Sequence, residues 1–304
     1  MLGVLALSGC RPDSDTPNRP STVTDALSRT VPLDRPVNRV VTLAPNLTEI
    51  VFAAGAGDKL VGVTTADDYP PAVDSLARFS ALPIDFEAIA ALNPDLVLAT
   101  DQINSARDAD TFDELGMPLY FFSFTTVDDI LSAIRTTGEL LGSPEAAGAA
   151  SDSLDAALDA LRTRTQSVAD RPRVLFLIGD DTLYAFGQNS YVHTLIEIAG
   201  GQSITDSMAT KAPTLSEEFV LTQKPDVIIG AFGSDYDPDR LLELHPTWDI
   251  VPAIQNDRVY SLNPDIVVRP GPRIVKGARR MARMLHPELF ADSLQAATRL
   301  PEVQ

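Results

Sequence analysis

One thirteen-residue pattern occurs twice in this chain. Glu87 to Ala99, EAIAALNPDLVLA, aligns without a gap on Glu218 to Gly230, EFVLTQKPDVIIG, at a constant offset of 131 residues. The glutamate, the Pro-Asp pair and the apolar run after it coincide. Each copy reads as a short helix begun near a carboxylate, halted at proline, and followed by a continuous apolar strand of the kind buried in a parallel sheet. Such a duplication implies two related folding units, and whatever lies between the copies joins them.

Between the copies lies the stretch from Ser143 to Ala169, SPEAAGAASDSLDAALDALRTRTQSVA. Ser143 is placed to cap a helix and Pro144 suits its first position. Leu154, Ala157, Leu158, Leu161 and Val168 recur at three- and four-residue spacing, which gives one apolar stripe. Glu145, Asp152 and Asp155 lie toward the start and Arg162 and Arg164 toward the end, the order a helix dipole favours, and Pro172 forbids continuation. About 25 residues at roughly 1.5 Å each span on the order of 37 Å, enough to strut two lobes.

The flanking segments repeat a strand-helix rhythm. Arg39 to Ala44, RVVTLA, is a short β-rich run. It stops at Pro45, and Asn46 with Glu49 three positions on predicts a capping box for a helix over Leu47 to Ala54. Strands are predicted at Leu60 to Thr64, Asp95 to Ala99 and Pro118 to Phe124. Helices are predicted at Asp85 to Leu92, Asp110 to Leu115 and Val127 to Leu141. Arg173 to Ile178, RVLFLI, restarts the same pattern after the long helix. Alternating strands and helices predict an α/β fold: two similar Rossmann-like lobes with mostly parallel sheets, joined by the single long helix, with a cleft between them. The expected division is a truncated lipoprotein signal over 1–10, a flexible tether over 11–36, a first lobe over 37–125, connecting helices over 126–170 and a second lobe over 171–304.

The tether expectation rests on composition. The only cysteine, Cys10, closes Leu7-Ser8-Gly9-Cys10 behind an apolar run, a tetrapeptide that resembles the bacterial lipobox in which the cysteine becomes a lipidated N-terminus. Arg11 to Thr30 is rich in Pro, Asp, Ser, Thr and Asn. The protein is therefore expected outside the cytoplasmic membrane, periplasmic or at the cell surface, held to a membrane by a lipid anchor alone. The net charge of −18, from 42 acidic against 24 basic residues with only four lysines, argues against nucleic acid as a partner, since phosphate binding needs a basic patch.

Several chemistries lack their parts. Gly55-Ala56-Gly57 follows a helix and reads as a helix end, not a dinucleotide loop, and no P-loop occurs. The three histidines, His193, His245 and His286, are scattered, and His193 with Glu197 reads as a solvated helix face, so no metal site is expected. There is no GxSxG elbow and no cysteine beyond Cys10 to act as nucleophile. A cleft enzyme or a lipid-anchored scaffold protein are the alternatives from other functional classes; no enzymatic activity and no cofactor are expected.

RVVTLAPNLTEIVFAAGAG, LVGVTTADDYPP, the two Glu-to-Pro-Asp repeats and RPGPRI from Arg269 to Ile274 together resemble the periplasmic substrate-binding proteins of ABC importers for vitamin B12, ferric siderophores and heme. The resemblance runs from Arg39 to Leu289 and is greatest to the vitamin B12-binding branch. It implies two α/β lobes on a backbone helix, with a monomer capturing a corrinoid or iron-chelate ligand between them and passing it to an ABC importer permease dimer. Strand-end loops facing the other lobe would supply the ligand contacts: Pro45 and Asn46 and Tyr69 from the first lobe, Tyr184, Asp265 and Arg269 from the second. By the resemblance, Tyr69, Asp265 and Arg269 fall on ligand contacts and Tyr184 near an aromatic one. Tyrosines offer flat faces, and an Asp with an Arg can meet amides, phosphate or carboxylates. The family's cleft tryptophans correspond to Ala81 or Leu82 and to Ala212 here, while the only tryptophan, Trp248, lies elsewhere. That points to a ligand other than vitamin B12 itself, another corrinoid or a ferric siderophore. Glu87 and Glu218, matched by the repeat, would form a symmetric pair at the cleft mouth, and by the resemblance such glutamates meet arginines of the two permease subunits.

Overall fold

The computed structural model describes residues 22–33, 35–233 and 235–291. Cys10 and the segment before Thr22 lie outside the described residues. From Thr22 the chain departs from the tether expectation. Strands β1 (Thr22–Thr24) and β2 (Thr30–Pro32) pair antiparallel as a hairpin. Val31 and Leu33 are buried, the Ala26 amide donates to the Phe121 carbonyl, and the Tyr120 hydroxyl donates to the Thr24 carbonyl at 3.2 Å. Asp25 closes the turn by accepting the Leu27 and Arg29 amides at 3.0 and 2.9 Å. Burial of two aliphatic side chains and a satisfied turn fix a stretch whose composition alone looks unfoldable.

The first lobe runs β3 (Val40–Thr42), α1 (Pro45–Ala53), β4 (Leu60–Thr64), β5 (Ala77–Phe79), α2 (Phe86–Ala91), β6 (Leu96–Thr100), α3 (Ala106–Glu114) and β7 (Leu119–Phe122). Its sheet has the order β5-β4-β3-β6-β7, every pair parallel. Two helices follow, α4 (Val127–Leu141) and α5 (Pro144–Thr165). The second lobe runs β8 (Arg173–Leu177), α6 (Tyr191–Ile198), β9 (Gln202–Ser203), α7 (Glu217–Gln223), β10 (Val227–Gly230), α8 (Asp239–Leu244), α9 (Pro252–Gln255), β11 (Val259–Ser261) and α10 (Ile274–Leu285). Its sheet is β11-β10-β8-β9, again wholly parallel. All five residues of β6 and all four of β10 are buried, as strands covered on both faces require.

The duplication is visible atom by atom. The helix before each buried strand is capped at matched positions: the Asp85 carboxylate accepts the Ala88 amide, and the Ser216 hydroxyl accepts the Phe219 amide. Asn93 and Lys224 both end their helices in the left-handed region, each with φ of 46°. The Pro-Asp aspartates then do the same work: Asp95 accepts the Arg39 amide at 2.9 Å and Asp226 accepts the Arg173 amide at 2.8 Å, each fastening the start of its lobe's first strand.

Helix α5 is the strut. It packs on α1 and α4 of the first half and on α6 and α10 of the second, and at 22 residues it is about 33 Å long. Gly142, with φ of +78°, ends α4 so that the chain can reverse. Gly138 lets α4 and α5 close up, since a Cβ there would lie 2.2 Å from the Ala147 Cβ. Ser143 precedes α5 without capping it; its hydroxyl donates instead to the Ala54 carbonyl at 2.7 Å, tying the strut to the end of α1.

Candidate functional site

The strand ends of both lobes meet in a cross-lobe cluster of charged and aromatic side chains. On the first-lobe side, β3 gives way to α1 two residues earlier than the Asn46–Glu49 capping box would allow. Pro45 occupies the first helical turn, Ala44 is the cap residue and supplies no side chain, and Asn46 is buried inside the helix. The predicted Asn46–Glu49 capping box is therefore corrected. Asn46 Nδ2 instead donates across to the Pro270 carbonyl at 3.4 Å. Glu49, one turn along and only 3% exposed, accepts two bonds from Arg273 of the second lobe, from Nε at 2.8 Å and from Nη2 at 2.6 Å. Burial raises the Glu49 carboxyl above the ordinary carboxylate range, against the hydrogen bond and charge of Arg273.

The guanidinium of Arg273 also lies 4.5 Å from the centroid of the Tyr69 ring. Tyr69 stands on the loop after β4, which Asp67 anchors: its buried Oδ2 accepts the Thr64 amide at 2.8 Å and the Thr64 hydroxyl at 2.7 Å. Next to it, Asp68 reaches across the lobes and accepts from Arg269 Nη1 at 2.6 Å. Arg269 Nη2 meets Asp265 of its own loop at 2.9 Å, and that loop is set by the Asn263 side chain accepting the Asp265 amide at 2.8 Å. The bond from Arg269 holds the Asp68 carboxyl below its usual range.

Tyr69, Asp265 and Arg269 thus come together in one cluster with Asn46 beside them. Pro45 is half-buried at the start of α1 and, like Tyr184, takes no part in the ion-pair network among the described residues. Tyr184 lies on the loop after β8, bridged to Thr214 and 48% exposed; Tyr69 is 38% exposed, with the Lys276 ammonium 5.7 Å from its ring centroid in addition to Arg273. Ala81 closes a small turn with Ile84, Leu82 projects at 72% exposure, and Ala212 is exposed. Asp68, Glu49 and Arg273 are members of the network that local sequence rules do not mark as such.

Glu87 and Glu218 occupy the same place in the two lobes, exposed in the first turns of α2 and α7. Beside Glu218, Glu217 accepts from His245 Nδ1 at 3.0 Å and from the Thr247 hydroxyl at 3.1 Å, and these bonds, His245 first, hold its carboxyl low. His245 stacks on the fully buried Trp248 with ring centroids 4.6 Å apart, so the single tryptophan belongs to the core of the second lobe. The expectation of a solvated His193 face is corrected: its side chain is 12% exposed, with Nε2 3.6 Å from Glu197 and Nδ1 3.2 Å from Asp206. Among the described residues no group of three or more His, Cys, Asp or Glu could hold a metal ion, and no helix is long and apolar enough to cross a membrane.

Known proteins are similar to this chain in sequence and fold. An ABC transporter substrate-binding lipoprotein of Bacillus subtilis is 26% identical over 308 residues, covering 96% of each chain. The crystal structure of the periplasmic vitamin B12-binding protein of Vibrio cholerae superposes with a TM-score of 0.73 at 30% identity, covering 83% of this chain and 98% of that one. The periplasmic heme-binding protein of Roseiflexus sp. RS-1 gives a TM-score of 0.73 at 26% identity, covering 83% and 99%. The periplasmic binding protein family is matched over residues 40–266, three quarters of the sequence, and the chain belongs to that family of binding proteins rather than enzymes.

Proposed function

We propose that this chain is the extracytoplasmic solute receptor of an ABC importer, taking a cobalamin-type corrinoid or a related metal chelate between its lobes and presenting it to a permease dimer. The observation that carries this reading is the cross-lobe cluster, in which Tyr69 offers a ring face beside Arg269, Asp265 and Arg273. Flat aromatic faces with a few fixed polar groups suit a large planar ligand edged with amides and acids. Alanines at 81 and 212 leave less aromatic cover than the vitamin B12-binding branch has, which favours a smaller corrinoid, heme or a ferric siderophore within the same importer class.

Pro45, Asn46 and Tyr184 complete the proposed lining, with Asn46 acting mainly to seat the second-lobe loop through Pro270. Glu87 and Glu218 are the proposed docking points, one for each permease subunit. Membrane attachment is through acylated Cys10, in keeping with the lipoprotein relative, and the receptor works as a monomer. Native mass spectrometry after incubation with cobalamin, cobinamide, heme and a panel of ferric siderophores tests the reading. One stoichiometric adduct is expected, and turnover of any candidate without a retained adduct would replace it with an enzyme. Cys10→Ser, expressed behind a complete signal, should move the protein to the soluble fraction.

A further inference from the structure

Two of the ion pairs between the lobes differ in kind; a third, from Arg269 Nη1 to Glu49 at 3.9 Å, is long. Glu49 and Arg273 are bidentate and deeply buried, with side chains 3% and 11% exposed. Neither can leave without stranding its partner's charge in a dry site, so this pair is a permanent fastening. Asp68 and Arg269 are joined by one short bond of 2.6 Å, and the Asp68 side chain is 56% exposed. Its carboxylate can swing into water at little cost, since exposed pairs are weak. Arg269 cannot follow it: Asp265 holds its other nitrogen at 2.9 Å from a turn that Asn263 pins.

From this asymmetry we infer that Asp68 is a built-in stand-in for an anionic group of the ligand. It satisfies Arg269 from across the cleft and gives way to a carboxylate or phosphate oxygen of the ligand, while Glu49–Arg273 keeps the lobes in place. An anionic ligand replaces one charged bond to Arg269 with another. A neutral ligand of the same shape must break the Asp68 bond and return nothing to the guanidinium, so the pair selects against it. The site therefore takes a chelate or tetrapyrrole that carries an acidic group at its edge. The same geometry explains why Arg269 is already aimed when the ligand arrives: its fork is held by Asp265 of its own loop and Asp68 of the opposite lobe, with Glu49 3.9 Å away.

This inference rests on the binding-protein reading, and its test separates the two. The first arm is ligand-independent: phenylglyoxal labelling of the purified full-length chain, read by peptide mass spectrometry, with Asp68→Asn as an isosteric change that keeps the fold. Arg269 labelling should rise about two- to fivefold, the range an exposed pair supports, while Arg273 stays as protected as before. Unchanged Arg269 labelling overturns the inference. The second arm titrates parent and Asp68→Asn with matched probes, heme against its dimethyl ester and cobalamin against cobinamide, which lacks the phosphate. Both members of a pair should bind the variant about two- to fivefold more tightly, because neither still has to break the Asp68 bond, and the acid-bearing member should outbind its neutral counterpart in parent and variant alike; the first probe pair reports a carboxylate source and the second a phosphate. No gain for the acid, or no preference for the acid-bearing member in either protein, overturns the exchange while leaving the receptor reading intact. Failure of the parent to bind any of these or a ferric siderophore sinks the receptor reading, and the exchange falls with it.

Discussion

The two lobes are alike where they are built and unlike where they face each other. Asp95 and Asp226 tie down the first strand of each lobe in the same way, and the capped helices α2 and α7 carry Glu87 and Glu218 at the same place. At the cleft the symmetry ends. The first lobe contributes carboxylates, Glu49 and Asp68, and the second contributes the guanidiniums of Arg269 and Arg273. Matched copies of one surface suit a partner that presents two equal halves, whereas complementary surfaces suit a single ligand that has none. The difference separates the matched scaffold of the two lobes from the surfaces proposed to hold a ligand.

The largest break of this comparison is at the buried pair. Glu49→Ala leaves Arg273 charged and dry, and should cost about 3–5 kcal/mol in a urea melt. Adding Arg273→Met should recover most of that loss, because an apolar contact replaces an expensive pair. A double variant as unstable as the single would mean that Glu49 acts through packing alone. Next come the twin aspartates. Asp95→Ala strands the Asn38 and Arg39 amides and frees Arg35, whereas Asp226→Ala strands the Arg173 amide; each should cost about 1–3 kcal/mol, with the larger loss at Asp95. A large loss at one and none at the other would show that the duplicate is cosmetic in one lobe.

Local signals made the scaffold legible. Strand β4 and helix α4 begin and end where the apolar periodicity and the flanking glycines put them, and both sheets are parallel as the alternating pattern requires. The misplaced features share one cause: their determinants are distant in sequence. Asn46 and Glu49 have capping-box spacing, but Pro45 starts the helix early, and the partner that claims Glu49 lies 224 residues away. The hairpin from Thr22 to Pro32 reads as tether because its residues are polar; the docking of Val31 and Leu33 on the lobe, with the hydrogen bonds of Ala26 and Thr24 to β7, holds it in place. Tyr69, Asp265 and Arg269 were readable through family resemblance, while Asp68 carries no mark except its geometry.

Acid should separate the two cross-lobe pairs. Burial raises Glu49 above its ordinary value of 4.5, so as pH falls it takes up its proton first. Its bond to Arg269 lowers Asp68 below 3.8, so that pair persists further into acid. The linkage signs are opposite. The preference for protonated Glu49 adds stability below pH 4.5 and is lost as pH rises through its folded value. The Asp68 contribution is present above pH 3.8 and is lost as pH falls through its folded value. Carbon-13 NMR titration of the two carboxyl carbons reads this order directly, and Asp68 protonating before Glu49 would overturn it.

The smallest effect on the isolated protein should come from the matched glutamates. Glu87 and Glu218 are exposed in the first turns of their helices, where a carboxylate also favours the helix dipole, so a structural role is open to them. That role is minor: Asp85 and Ser216 already cap those turns, and Glu217 beside Glu218 is engaged by His245 and Thr247. Removing both glutamates should therefore shift stability by no more than about 0.5 kcal/mol, as is usual for surface changes away from caps and cores. If they dock on two equivalent subunits, each contributes an exposed ion pair worth about 0–1 kcal/mol, which orients the complex more than it tightens it. The double variant Glu87→Ala with Glu218→Ala should keep its ligand affinity and melting temperature and lose transport in a reconstituted importer. Each single variant should lose less than the pair, and raising salt should narrow the gap between variant and parent, because screened charges no longer steer the approach. Normal transport by the double variant, or a loss confined to ligand binding, would end the docking role and leave the duplication as a record of how the fold arose.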